Sequence, residues 1–173
     1  MAIKAEVNEG GVKSFVVNDG DYKVRLSSID VVEERDNRPA SKTVGQMRPV
    51  FRFSFALDPK AKFVIDALAN PDNAGLPATH IITTGRAWNR GNGGVISPSR
   101  LTQVMDGLTD APLTDAEAAD YDIETLIGTF AIMTLKTVVS AKGNVYNAMT
   151  DMYKYVPGQA PKPRATVDDP FAD

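Results

Sequence analysis

Apolar and polar residues alternate along much of the chain, which is the pattern of strands with one buried face. The clearest case covers 50–57, where three Phe residues alternate with Arg52 and Ser54. Strict alternation of this kind predicts a core strand rather than a base-stacking surface, so Phe51, Phe53 and Phe55 are all assigned to the core. Alternation also predicts a strand at 22–32, and β-rich apolar runs bounded by turn residues predict strands at 80–84, 130–139 and 145–156, which makes five in total.

Helical periodicity is confined to short segments between the predicted strands. Residues 60–69 favour one short helix. A second is predicted through Leu108, with Ser97 or Ser99 as its cap. Residues 123–127 favour one further helical turn.

The predicted elements run in the order of three strands, a helix and two strands. An OB-fold is a five-stranded, partly open Greek-key barrel, and it carries a helix between strands 3 and 4. We therefore expect a mostly β, OB-fold-like nucleic-acid-binding domain over 21–156. An arm with a short strand at 12–17 is expected at 1–20. Residues 157–173 are rich in Pro and acids, which predicts a flexible acidic tail.

Composition narrows the class of function. The chain has no Cys and a single His80, which excludes a thiolate site and any cluster of His ligands. Its Gly-rich stretch at 85–94 lacks the Lys-Ser/Thr pair of a phosphate-binding P-loop. No apolar run approaches the roughly 18 residues of a membrane span, so we expect no membrane association and a cytoplasmic location. We predict a protein without catalysis, cofactor or metal, an enzyme being the least favoured class.

The net charge of -3 hides a segregation of charge along the chain. Residues 23–54 carry seven Lys and Arg against four acids, and 79–100 carry three Arg and no acid. In contrast, 106–124 holds seven acids and no Lys or Arg. One side of the fold is thus expected to be basic, although solvated faces without a function would give the same pattern.

Single-strand binding requires cations that follow the phosphates and aromatic rings on which bases stack. Trp88 lies between Arg86 and Arg90 in the Gly-rich stretch and is expected to stack on bases, the alternative being that it packs under the loop. Tyr153 and Tyr155 share a face of the last strand, and at least one of these and Tyr146 is expected in the core. The predicted nucleic-acid-binding residues are Arg25, Arg48, Arg52, Arg86, Trp88, Arg90, Lys136, Lys142 and Tyr153.

The segment 167–173 combines acids, a Pro and one large aromatic residue. A lone Phe in an extended tail needs another molecule to bury it. The predicted partner-binding residues are therefore Asp168, Asp169, Pro170 and Phe171, and an ordinary frayed terminus is the alternative.

Several segments resemble phage-encoded single-stranded DNA-binding proteins and related replication or recombination accessory proteins. They are 19–24, the Phe-rich second strand, 126–130 and 143–147. The tail is similar to the acidic tip of bacterial single-strand binders, with Ala172 and Asp173 following the Phe here. The resemblance implies sequence-independent binding and protection of single-stranded DNA in bacteriophage replication or recombination. It also implies that the tail recruits replication or recombination proteins, and assembly into a homo-oligomer would multiply weak sites.

The alternative is a phage interaction or structural protein without enzymatic activity, such as an inhibitor of a host enzyme or a virion component. It would present the acidic residues at 106–124 to a basic partner.

Overall fold

A five-stranded antiparallel sheet dominates the computed structural model, which describes residues 14–91 and 98–157. The strands are β1 (Gly20–Arg35), β2 (Met47–Leu57), β3 (Thr79–Thr84), β4 (Phe130–Val139) and β5 (Val145–Lys154). Their order across the sheet is β3-β2-β1-β4-β5. The expected mostly β class and the five strands are confirmed. Among the described residues, β3 and β5 are the edges of an open sheet, so a closed barrel is not confirmed.

The first two strands are longer than predicted. Pairing continues from Val24 opposite Leu57 as far as Arg35 opposite Met47, which leaves 36–46 as the loop. Apolar alternation ends earlier, but opposite charges face each other across the extension, where Glu34 is paired with Arg48. Such cross-strand pairs of opposite charge stabilise the pairing of two strands.

The core lies on one face of this sheet. Phe53, Phe55 and Leu57 of β2 face it and are buried, as the alternation predicts. A β-bulge between Leu26 and Ser28 shifts the register of β1 against β2. Farther along β2 than Phe53 the same face is less covered, and Phe51 is only half-buried. Its assignment to the core was therefore wrong in part.

Short helices cover the core. They are α1 (Lys62–Ala69), α2 (Arg100–Leu108) and α3 (Asp115–Ala119), with 3-10 turns at Pro71–Asn73 and Ile123–Leu126. Ser99 caps α2, since its hydroxyl accepts a hydrogen bond from the Thr102 amide at 3.2 Å. No helix was predicted at α3, where Thr114 and Glu117 form a capping box. None of the helices in the described ranges is long and apolar enough to cross a bilayer.

The N-terminal segment 14–17 packs with the body instead of forming an arm. Phe15 and Val17 are buried in the core cluster. The Val17 amide donates to Asn147 Oδ1 at 2.8 Å, and the Val16 amide donates to Asn73 Oδ1 at 3.0 Å. Because side-chain amides rather than a neighbouring strand bind this backbone, the strand predicted at 12–17 is absent over 14–17. Residues 158–173, which hold the predicted tail site, lie outside the described residues.

Candidate nucleic-acid interface

The face of the sheet opposite the core, here called the outer face, gathers several of the predicted residues. Arg25 lies opposite Ala56 on β2 and opposite Phe130 on β4. Paired residues point to the same side of a sheet, so the register places cations and aromatic rings together. The outer face carries Lys23, Arg25, Arg52, Phe130, Lys136, Tyr153 and Tyr155.

Lys23 lies between two aromatic rings of the outer face. Its Nζ is 4.7 Å from the centroid of Phe130 and 4.4 Å from that of Tyr155. The two rings are 6.1 Å apart and tilted by 57°. Phe130 is 41% exposed, so a large part of an apolar ring faces solvent beside a cation. Cations within about 6 Å of a ring face are attracted by the ring electrons.

Tyr153 stands on the neighbouring strand, opposite Ile132. It is 37% exposed, and its hydroxyl donates to Asp21 at 2.9 Å. Tyr146 is exposed as well and Tyr155 is half-buried, so the expectation that one of the three tyrosines lies in the core was wrong. All three rings are instead within reach of solvent.

Arg52 extends the outer face toward β3. It lies four residues along β2 from Ala56, or roughly 13 Å from the Arg25 position at the usual rise of a strand. Arg52 is opposite Asp30 on β1 and Thr83 on β3. Lys136 is on the same side of β4, six residues beyond Phe130. The cations thus span several strands, and Asp30 offsets one of them.

A second cation–aromatic contact lies where β2 meets the end of β3. The guanidinium carbon of Arg86 is 5.5 Å from the Phe51 ring centroid. Arg48 also reaches this place, because its Nη1 is 3.5 Å from where a Cβ on Gly85 would be. The structure therefore brings together the predicted Arg48 and Arg86 and adds Phe51. The sequence missed Phe51 because its alternation is indistinguishable from that of its buried neighbours.

The Trp88 and Arg90 pair is held by acids. The Arg90 guanidinium carbon is 5.0 Å from the Trp88 ring, and the Trp88 indole donates to Asp115 Oδ1 at 3.0 Å. Arg90 donates to both carboxylate oxygens of Asp106 and to the Leu113 carbonyl. These hydrogen bonds to Asp106 raise the pKa of Arg90. Trp88 is half-buried against the core, and a phosphate at this place would face two carboxylates.

Acids of the segment 106–124 form ion pairs and hydrogen bonds with residues that lie outside this segment of the chain. Asp106 pairs with Arg90, Asp115 accepts from Trp88, and Asp110 lies 3.3 Å from the Nζ of Lys154. Three of the seven acids are thus bonded to residues from other parts of the chain. Two of these bonds connect α2, through Asp106, and α3, through Asp115, to the stretch that holds Trp88 and Arg90.

The remaining predicted residues are spread over the surface. Lys142 lies in the turn between β4 and β5. His80, on β3, is largely buried, and this burial followed by the nearby Arg100 lowers its pKa to about 4. Within the two described ranges, no group of three or more His, Asp or Glu side chains is placed to hold a metal ion.

No protein-family model matches the chain, and no curated protein matches it either.

Proposed function

We propose that the protein binds single-stranded DNA across the outer face, without strong sequence preference. The observation that carries the proposal is the group of Lys23, Phe130 and Tyr155 beside Arg25, which puts one exposed ring, one half-buried ring and two cations side by side. Single-strand binders combine these two elements, with each stacked base contributing about 1–3 kcal/mol.

The strand order supports an OB-fold-like architecture for this function. Both edges of the sheet line one cavity, to which β3 contributes His80 and Ile81 and β5 contributes Tyr146 and Asn147. That residues of both edge strands line the same cavity is an arrangement that supports a partly open barrel. OB-folds bind oligonucleotides over strands 2 and 3 and the loops after strands 1 and 4. The corresponding loops here are 36–46 and 140–144.

The charge and exposure of each side chain on the outer face determine whether it contacts phosphates or bases. Arg25, Arg52 and Lys136 attract the phosphates, which carry no sequence information. Phe130 and Tyr153 offer their exposed rings to bases. Arg48 and Arg86 beside Phe51 supply a further contact where the β1–β2 ribbon leaves the body.

In this proposal the protein protects single-stranded DNA during phage replication or recombination. The acidic tail, with Asp168, Asp169, Pro170 and Phe171, recruits replication or recombination proteins. The alternative role of 106–124 in binding a basic partner has less support, because three of its acids are already bonded within the chain.

The test is fluorescence anisotropy of a labelled oligo-dT titrated with the full chain, with duplex DNA of equal length in parallel. We expect binding to the single strand that weakens steeply with salt, and weaker binding to the duplex. Phe130→Ala should lower the affinity about tenfold, in line with the loss of one stacked base. Leu68→Ala, which removes a similarly exposed side chain from α1, should have no effect. Absence of single-strand binding at low salt would end the proposal.

A further inference from the structure

A groove lies between the N-terminal segment 14–18, the turn at 70–73 and the β4–β5 hairpin. Its volume is about 880 Å³, within the roughly 300–1,000 Å³ usual for small-molecule sites. The lining of this hairpin groove includes Ser14, Asn18, Asn70, Thr137, Ser140 and Tyr146.

Two buried amides fix the walls of the hairpin groove. Asn73 accepts from the Val16 amide and donates to the carbonyls of Val16 and Ala67 at 2.9 and 2.8 Å. Asn147 accepts from the Val17 amide and donates to the Val17 carbonyl at 2.9 Å. Each amide joins the N-terminal segment to another part of the fold. The groove is therefore built in advance of any ligand, which lowers the cost of ordering on binding.

The chemistry of the lining suits an uncharged polar ring. Amides and hydroxyls predominate among the described residues that line the groove, which include no Lys or Arg and one charged residue, the acid Asp72. A phosphate group is therefore disfavoured inside. Tyr146 lines the groove and is 39% exposed, so its ring can stack on a flat ligand.

Cations stand at the rim instead of inside. Lys136 pairs with Ala148 while Val138 pairs with Tyr146, so Lys136 is diagonally across the two strands from Tyr146. Such diagonal neighbours are about 7–8 Å apart. Lys142 lies in the turn between the lining residues Ser140 and Gly143. A neutral interior with a cationic rim matches a nucleotide whose base enters while its phosphates stay outside.

We infer that the hairpin groove takes one unstacked nucleobase of the bound strand, with Tyr146 stacking on it and Asn18 hydrogen-bonding its edge. The inference rests on the proposed function and deepens it. Phosphate contacts on the outer face are blind to sequence, whereas an amide that bonds a base edge distinguishes one base from another. The protein should therefore show a base preference that originates in this groove.

The test compares dT, dC and dA homo-oligomers of equal length in the anisotropy assay. Wild-type protein should bind its preferred oligomer about fivefold more tightly than the weakest, the contribution expected of one net hydrogen bond. Tyr146→Ala and Asn18→Ala should reduce this ratio toward that of a surface without base readout. Val139→Ala, a 63% exposed residue of β4 outside the lining, is the matched control.

The ratio of affinities is the decisive quantity, because homo-oligomers differ in their own stacking. A ratio that collapses in Tyr146→Ala and persists in Val139→Ala supports the groove. If the ratio is the same in wild type and Tyr146→Ala while single-strand binding persists, the groove inference is overturned and the proposed function stands. Failure of the wild type to bind any oligomer overturns both.

Discussion

Arg90 and Asp106 form a two-pronged ion pair, in which both nitrogen–oxygen distances are 2.9 Å. The pair joins the Gly-rich stretch to α2, and each side chain is about one-third exposed. It holds Arg90 on the Trp88 ring, so the residues that looked most like a nucleic-acid contact in the sequence have a clear structural role.

Asp106→Asn should lower the free energy of unfolding by about 1–2 kcal/mol, since it removes a charge-assisted pair of hydrogen bonds. The affinity of this variant for oligo-dT should not fall, because the substitution removes a negative charge and releases Arg90 from its ion pair. Urea unfolding and anisotropy measure the two effects. Asp120→Asn, an exposed acid at the end of α3, is the control. Unchanged unfolding in Asp106→Asn would show that the pair contributes nothing.

Arg25→Gln and Arg52→Gln should each weaken binding to oligo-dT and reduce its dependence on salt. Each phosphate contact contributes about 0.7 to the slope of log affinity against log salt for single strands. The slope should therefore fall by about 0.7 in each single variant and by about twice that in the double variant. Lys62→Gln on α1 should leave the slope unchanged. Equal slopes in the wild type and all four variants would remove the outer face from the interface.

Gly107→Ala should destabilise the packing of α2 on β5. A Cβ at this position would lie 2.5 Å from Met152 Cγ and 3.1 Å from its sulfur. Overpacking of this kind costs about 1–3 kcal/mol, against a gain of about 1 kcal/mol in helix propensity. The net loss in urea unfolding should be up to about 2 kcal/mol, and the loss should shrink when Met152→Ala is the background. A more stable Gly107→Ala would mean that Met152 moves aside freely.

His80 should make stability depend on pH. Because the folded state lowers its pKa to about 4, the unfolded chain takes up the proton near the ordinary value of about 6.5. The stabilising effect of neutral His80 is complete above that value and is lost as the pH falls toward 4. Between pH 7 and 4, wild type should lose about 3 kcal/mol more stability than His80→Gln. Parallel profiles in urea unfolding would contradict this.

Much of the fold follows from local patterns in the sequence. Apolar alternation, β-branched apolar runs and turn residues located all five strands, and the bounds of β4 agree at both ends. Ser99 was identified as a possible cap since a side-chain oxygen before an apolar run satisfies free amides at a helix start. The capping box of Thr114 and Glu117 was an available signal for α3 that the run of acids concealed.

The candidate site depended on relationships that local patterns do not contain. Phe51 is half-exposed and Phe53 is buried although both lie on the same face of β2. Trp88 is held by an acid 27 residues away. Lys23 was not among the predicted binding residues, because only the register of β1 against β4 brings it to Phe130. Charge counting along the chain cannot reveal pairs of this kind.

The hydrogen bonds of the buried amides Asn73 and Asn147 also affect the order in which the chain can fold. Asn147 binds the backbone of a residue 130 positions earlier, and β1 pairs with β4 across a comparable separation. Contacts between such distant residues require large loops to close first, and they slow folding. The β1–β2 ribbon can form early from neighbouring residues. The hairpin groove and the β4 half of the outer face come into existence only when the last two strands have joined.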